Sequence, residues 1–127
     1  MQLVYEFCNP RRQQLLSDKV RPNEAHSYLA KFEHEFSGKF LLVTQNGDNL
    51  HERAGSDNLI HMHGELLKMR CLDSLLIFDI AEDFNFHTEC RCCLSHGNLR
   101  PHIVWFGEMP LQMNKINQAL ESCDLFA

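Results

Sequence analysis

The sequence predicts an α/β fold in which a parallel sheet is interrupted by a small inserted module. Helical segments alternate with short, continuously apolar stretches at 39–44, 59–63 and 102–106, a pattern typical of buried parallel strands. The segment 71–97 is instead polar, carries cysteines and has no strong period, which indicates an insertion. At 127 residues, of which 44% are apolar, the chain is long enough for one domain with an ordinary core.

The first helical segment, 2–17, contains a proline that allows two interpretations. Apolar residues recur there at roughly helical spacing: Leu3, Phe7, Leu15 and Leu16. Pro10 lacks a backbone N–H and crowds the preceding turn. It therefore either kinks the helix or begins it, with Asn9 as the N-cap.

Two further segments predict helices. In 21–38, Asn23 can cap the helix and Ser37-Gly38 can end it. One face of that helix is apolar: Ala25, Leu29, Phe32 and Phe36. The segment 109–123 is the last helix, with Met113, Ile116 and Leu120 on one side.

The closing "DLFA" should begin another strand, but it has only three apolar residues. Because buried strands usually run about five or six residues, we expect the chain to be a fragment.

Polar side chains follow the strands predicted at 39–44 and 59–63, where open parallel sheets bind their ligands. Gln45, Asn46 and Asp48 can hydrogen-bond a sugar or a carboxamide, although Asn46-Gly47-Asp48 also has ordinary turn chemistry. His63, before Gly64, is either a general base or a polar residue whose hydrogen bonds are satisfied within the fold. We expect His61, two residues earlier, to be structural.

The cysteines of the inserted segment suggest a metal site. A complete zinc ribbon supplies thiolates from two CxxC pairs, but here Ser74 stands three residues after Cys71. The candidates for a site are Cys71, Cys90 and Cys93, completed by Cys92, His87, His96 or water. The alternative is a loop that binds no metal. We expect the remaining cysteines, Cys8 and Cys123, to be packing residues.

Composition narrows the class of protein. A formal net charge of -5 disfavours binding to a phosphate backbone, and no long apolar run indicates export or membrane insertion. Crowded cysteines such as "CRCC" at 90–93 pair poorly as disulfides and favour a reducing compartment. We therefore expect a small acidic cytoplasmic protein that binds neither nucleic acid nor membrane.

Five motifs together resemble the sirtuins, or Sir2 family, and most closely the bacterial class III, CobB-type members. They are "PNEAH" (22–26), "TQNGDNLHERAGS" (44–56), "HMHGELLKMRC" (61–71), "LRPHIVWFGEMP" (99–110) and "CDLFA" (123–127). They occur in the order of that family and cover nearly the whole chain.

The resemblance implies an NAD-dependent protein lysine deacylase, acting on acetyl and possibly succinyl or malonyl lysine, with NAD and zinc as cofactors. It implies a partial Rossmann-like NAD-binding domain at 21–64 and 99–127, a zinc-ribbon-like insertion at 65–98, and part of a helical substrate and cofactor module at 1–20. The partners would be acyl-lysine proteins or peptides.

The resemblance also implies roles for individual residues. His63 would be the catalytic base, and the NAD contacts would come from Gln45, Asn46 and Asp48. Cys71 and Cys90 match zinc ligands, with Cys93 and Cys92 as further candidates. Residues implied at the substrate are Arg11, which would pair with an acidic acyl group, and Cys8, Val104, Phe106 and Gly107, the last three through backbone presented to a peptide.

Several positions depart from the family pattern. Cys8 replaces a tyrosine expected beside Arg11, Pro10 interrupts their helix, and Gly47 replaces a branched apolar residue. The glycine-rich phosphate loop and the later "GTS" and "SN" segments are absent from the sequence. We therefore expect the isolated chain to be an inactive fragment of such an enzyme. The alternatives are a non-enzymatic zinc or partner-binding module and an inactive remnant.

Overall fold

A computed structural model describes residues 1–127, which form two compact units. Unit 1 comprises Met1–Arg21 and Glu65–Ile103, and unit 2 comprises Pro22–Gly64 and Val104–Ala127. The helices are α1 (Gln2–Leu16), α2 (Glu24–Glu35), α3 (Leu50–Ala54) and α4 (Met113–Ser122). The strands are β1 (Leu42–Thr44), β2 (Leu59–His61), β3 (Gly64–Cys71), β4 (Ile77–Asp79) and β5 (Leu99–Ile103). None of the helices combines the length and apolar character that crossing a membrane would require.

Unit 2 contains the predicted parallel sheet. Strands β1 and β2 pair in parallel, with Val43 opposite Ile60. Helix α2 begins at Asn23 as predicted, because the Asn23 side chain accepts the His26 N–H at 3.2 Å and the His26 ring accepts the Asn23 N–H at 3.2 Å. The sequence therefore identified the parallel pair and the start of α2.

The aromatic face predicted for α2 is only partly covered. Ala30 is the buried residue of this helix, whereas Phe32 and Phe36 are about half exposed. Their rings stack at 5.2 Å between centroids, and Phe40 meets Phe32 edge-on at 5.7 Å. These rings thus shield one another in part from solvent.

Unit 1 contains a second sheet, with strand order β4-β3-β5. Strands β3 and β4 are antiparallel, with Met69 opposite Phe78. The core of this unit is a single cluster of buried side chains: Tyr5, Met69, Cys71, Ile80, Phe84, Cys90 and Leu99. The Tyr5 hydroxyl donates to the Leu99 carbonyl at 2.7 Å, which ties α1 to β5.

The prediction of a parallel-sheet strand at 102–106 is wrong. The strand lies earlier, at Leu99–Ile103, and it pairs in the sheet of unit 1. Leu99 is fully buried in the core cluster, while the chain turns after Val104, with Gly107 at φ +85° and the Glu108 N–H donating to the Trp105 carbonyl at 2.9 Å. An apolar run shows that a strand is buried, but not which sheet buries it.

Helix α1 also differs from its prediction, since it runs continuously from Gln2 and does not begin at Pro10. Its buried residues, Tyr5, Cys8, Arg12 and Leu15, lie on both sides of the proline. The predicted apolar face is wrong at Leu3, Phe7 and Leu16, which are exposed, and right at Leu15. Tertiary packing of the buried face thus outweighs the backbone hydrogen bond that Pro10 cannot make.

The three sequence segments predicted as domains are distributed over these units. Residues 1–20 lie in unit 1 together with 65–98, and 99–103 lie there as well. Whether these segments act as separate functional domains stays a prediction.

Candidate active site and metal centre

The predicted cofactor residues follow the carboxyl ends of two adjacent parallel strands in unit 2. Gln45 and Asn46 come directly after β1 and are exposed, and Asp48 is half-buried. His63 lies two residues beyond the end of β2, in a turn, and is also half-buried. Such an edge is where parallel sheets bind ligands.

The loop after β1 is held by its own short side chains. The Asn46 N–H donates to Thr44 Oγ1 at 3.1 Å, and Asp48 Oδ1 accepts the Leu50 N–H at 3.1 Å at the start of α3. The expected turn chemistry at 46–48 is therefore present. It leaves the two carboxamide side chains, Gln45 and Asn46, at the surface.

His61 connects this loop to α3. The His61 side chain is buried, with Nδ1 at 3.1 Å from the Asn46 carbonyl and Nε2 at 2.7 Å from Glu52 Oε1. Burial acts to raise the pKa of Glu52, but the hydrogen bond from His61, a backbone hydrogen bond and the charges of His61 and His51 together lower it. His61 therefore fixes the position of the Asn46 backbone relative to α3.

Sequence reasoning did not identify Glu52 as part of this arrangement. Glu52 is nine residues from His61, and the contact depends on α3 being placed against the end of β2. No local pattern would have predicted the pair, because "HERA" reads only as a polar stretch of helix.

A second histidine of α3, His51, is buried beside the ring of His26, at 4.6 Å between ring centroids. Burial lowers the pKa of His51, and the neighbouring His26 adds to that effect. His51 is therefore held as a neutral ring inside unit 2.

The structure places one predicted substrate residue against His63. The His63 carbonyl accepts the Val104 N–H at 2.9 Å. Beyond it, the Trp105 N–H donates to Glu108 Oε2 at 2.8 Å, and Phe106 is fully exposed. The segment after Val104 is thus a closed turn with an exposed tip.

Arg11 and Cys8 belong to α1 in unit 1 and have different surroundings. Arg11 is exposed, stacks 3.4 Å from the Phe7 ring centroid and donates to the Phe7 carbonyl at 2.9 Å. Cys8 is buried, and burial raises the pKa of its thiol. Arg12, which follows Arg11, is fully buried and donates to the Leu66 carbonyl at 2.8 Å, so Arg12 has a structural role.

The four cysteines of the inserted segment form one cluster: Cys71, Cys90, Cys92 and Cys93, whose Sγ atoms all lie within 4.8 Å of one another. The Cys71 and Cys93 sulfurs are 3.9 Å apart, and the Cys90 and Cys92 sulfurs 3.3 Å apart. Tetrahedral zinc with Zn–S bonds of about 2.3 Å separates its sulfurs by about 3.8 Å, so this donor set fits zinc.

Two further observations support the fit. Hydrogen bonds from Ser74, through its side chain and its backbone N–H, lower the pKa of the Cys71 thiol to about 6, which favours the thiolate that zinc requires. The histidines proposed as possible ligands are not in the cluster: the His96 ring instead contacts the His87 carbonyl at 2.8 Å. Cysteine sulfurs alone make up the donor set of this cluster.

Comparison with known proteins identifies the family of this chain. A sequence model of the Sir2 family matches residues 2–127. The NAD-dependent protein deacylase of Pasteurella multocida (strain Pm70) is 59% identical over 124 residues, which is 98% of this chain and 53% of the relative. The deacylase of Vibrio cholerae is 55% identical over 124 residues, again 98% of this chain and 50% of the relative.

Solved structures show the same similarity. A Sir2 homologue in complex with NAD has a TM-score of 0.75 and 35% identity, covering 92% of this chain and 44% of that one. Sir2 bound to an acetylated peptide has a TM-score of 0.70 and 28% identity, covering 92% and 49%. This chain spans about half the length of the relatives it matches. With the family match extending over nearly every residue, the chain belongs to the Sir2 family.

Proposed function

We propose that this chain contributes to an NAD-dependent protein lysine deacylase, which transfers an acyl group from lysine to ADP-ribose and releases nicotinamide. The observation that carries the proposal is the placement of Gln45, Asn46, Asp48 and His63 after the carboxyl ends of two adjacent parallel strands. The relatives named NAD-dependent protein deacylase support it across 98% of the chain.

The loop after β1 suits NAD through its donor set. The exposed Gln45 and Asn46 carboxamides and the Asp48 carboxylate would bind the nicotinamide carboxamide and its ribose. NAD, when bound, supplies the electrophilic ribose carbon and the nicotinamide leaving group. His61 would hold the Asn46 backbone in place through its 3.1 Å contact with the Asn46 carbonyl.

His63 would act as the general base. A neutral imidazole nitrogen of His63 can accept the proton of a ribose hydroxyl, which is the task of a general base. The hydrogen bond between the His63 carbonyl and the Val104 N–H limits the movement of the backbone that carries the ring.

The substrate would be an acyl-lysine peptide. We propose that it contacts the exposed turn that begins at Val104 and includes Phe106 and Gly107. The exposed Arg11 guanidinium can form paired hydrogen bonds with a carboxylate, as in a succinyl or malonyl group, whereas the buried Cys8 cannot replace a phenolic hydroxyl there. Acetyl-lysine is therefore the substrate we favour.

All six cysteines are free, which favours the cytoplasm as the compartment.

The test uses a chimera in which residues 1–127 replace the matching half of the Pasteurella multocida deacylase. His63→Ala should lower NAD-dependent deacetylation of an acetyl-lysine peptide by about 100-fold or more, the usual contribution of a general base. Released nicotinamide is the readout. The control is His87→Ala, which removes an exposed histidine and should leave the rate unchanged.

Two results would count against the proposal. Retained activity in His63→Ala would remove His63 from its role. A folded but inactive chimera, beside an active parent enzyme, would show that the residues of this chain no longer support deacylation.

A further inference from the structure

Two turns in the cysteine cluster are built alike. In each, the first cysteine donates its N–H to the carbonyl five residues later and accepts the N–H of the residue four later, which has a left-handed backbone. In the first turn, the Cys71 N–H donates to the Leu76 carbonyl at 2.9 Å, and the Leu75 N–H donates to the Cys71 carbonyl at 3.1 Å. In the second turn, the Cys90 N–H donates to the Ser95 carbonyl at 2.9 Å, and the Leu94 N–H donates to the Cys90 carbonyl at 3.0 Å. Leu75 and Leu94 have φ of 61° and 57°. The turns therefore match residue by residue.

This match assigns each cysteine a place. Cys71 corresponds to Cys90, and Ser74 corresponds to Cys93, three residues after the first cysteine in each turn. A CxxC turn carries its second thiolate at that position. In the first turn the position holds a hydroxyl, so the CxxC positions of the two turns offer three sulfurs.

Cys92 brings a sulfur to the position that lacks one. It stands two residues after Cys90, where the first turn has Asp73. Its Sγ lies 3.1 Å from Ser74 Oγ and 3.3 Å from Cys90 Sγ. The fourth sulfur of the cluster therefore adjoins the side chain that replaces the usual ligand.

The hydroxyl of Ser74 lies at hydrogen-bond distance from that sulfur and can donate to it. Ser74 Oγ accepts the Leu76 N–H at 3.3 Å, which leaves its own proton for a neighbouring acceptor. The thiolates of Cys71 and Cys92 are both such acceptors, and Cys71 also receives the Ser74 backbone N–H at 3.5 Å, so the hydroxyl proton is available to Cys92. Zinc in proteins takes thiolate, imidazole and carboxylate ligands, so a serine hydroxyl beside a thiolate is the weaker candidate for the metal.

We propose that Cys92 supplies the fourth zinc thiolate in place of residue 74, and that Ser74 remains outside the coordination shell as a hydrogen-bond donor to Cys92. The ligand set is then Cys71, Cys90, Cys92 and Cys93. This inference rests on the zinc part of the proposed function and does not depend on NAD or on acyl transfer.

The test titrates the full chain, under reducing conditions, with Co²⁺ and then with Zn²⁺ in competition with a chromogenic chelator. The absorption spectrum of bound Co²⁺ shows how many thiolates coordinate it, because the intensity of the sulfur-to-cobalt charge-transfer band increases with their number. We expect a four-thiolate spectrum, and in Cys92→Ser a loss of about a quarter of that absorption, one thiolate of four. Cys123→Ser is the control, since this exposed cysteine lies outside the cluster.

A compensating variant makes the test specific. Adding Ser74→Cys to Cys92→Ser rebuilds two CxxC turns and should restore the four-thiolate spectrum. Ser74→Ala alone should keep that spectrum and weaken zinc binding by about 10-fold, a usual effect of removing an outer hydrogen bond.

The proposal is overturned if the unmodified chain shows a three-thiolate spectrum, or if Cys92→Ser keeps all four. Failure of the double variant to recover would show that Cys92 does not replace position 74, and unchanged zinc affinity in Ser74→Ala would remove the hydrogen-bond role. These readouts need no peptide or NAD. If the chain binds metal as expected but the chimera shows no deacylation, only the deacylase proposal is contradicted.

Discussion

At the scale of single residues, the histidines of unit 2 differ in what surrounds them. His61 faces an acceptor at each ring nitrogen, the Asn46 carbonyl and Glu52. His51 is buried against His26, with a lowered pKa. His63, predicted as the base, is half-buried and follows the end of β2. The same residue type therefore serves as connector, buried neutral ring and proposed catalyst according to its environment.

The buried His51 leads to a prediction about pH. Because its pKa in the folded chain lies below the ordinary value of 6.5, the unfolded chain binds more protons just below that pH. The stability present above about pH 6.5 is therefore lost as the pH falls. We expect His51→Gln in the chimera to flatten the decline in the free energy of unfolding between pH 6.5 and 5, measured by urea titration at several pH values.

The control for that experiment is the exposed His87→Gln, which should leave the decline unchanged. If the His51→Gln variant lost stability with acid as steeply as the unmodified chimera, His51 would not be the group that couples protonation to unfolding.

At the scale of elements, α1 persists despite an unfavourable residue. Pro10 is exposed in the middle of the helix, where it removes one backbone hydrogen bond and crowds the turn before it. The helix survives because Tyr5 and Leu15, on either side of the proline, are buried, with Tyr5 in the core cluster of unit 1. Asn9, which could have capped a helix starting at Pro10, donates instead to the Phe84 carbonyl at 2.9 Å.

Replacing this proline should stabilise the protein. Pro10→Ala in the chimera restores an N–H without removing buried surface, and we expect the free energy of unfolding to rise by about 2 to 3 kcal/mol. Urea unfolding measures the change. Gln14→Ala, at an exposed position of the same helix, should change it by only a few tenths of a kcal/mol. A neutral or destabilising Pro10→Ala would show that Pro10 does not reduce the stability of this helix.

At the scale of the whole molecule, large apolar side chains are exposed in both units. Unit 1 has a closed core cluster that includes Phe84 and Met69. Unit 2 has a parallel sheet of two strands, whereas parallel sheets are normally covered on both faces. Large apolar side chains of unit 2 are exposed, among them Tyr28, Phe32, Phe106 and Met109.

This exposure predicts association of residues 1–127 when they are studied alone, because large apolar patches are rare on monomers. Light scattering coupled to size-exclusion chromatography should give a mass above the 14.8 kDa of one chain, increasing with concentration. Phe32→Glu with Phe36→Glu should reduce it, while Lys31→Glu, an exposed change on the same helix, should not. A monodisperse monomer that melts cooperatively would contradict this expectation.

Local sequence features were sufficient for part of the fold and of the candidate site. The cap at Asn23, the parallel strands before Gln45 and before His63, and the cysteines of the insertion could each be identified from residues close together in the chain. Their order also supported the family assignment. Capping, strand propensity and ligand spacing act over a few residues, so a sequence displays them directly.

Only the tertiary structure decided which distant residues meet. It placed Leu99–Ile103 in the sheet of unit 1, kept α1 continuous through Pro10, joined His61 to Glu52 and brought Cys92 beside Ser74. These outcomes depend on packing and hydrogen bonds between groups far apart in the chain, whose free energies override local preference.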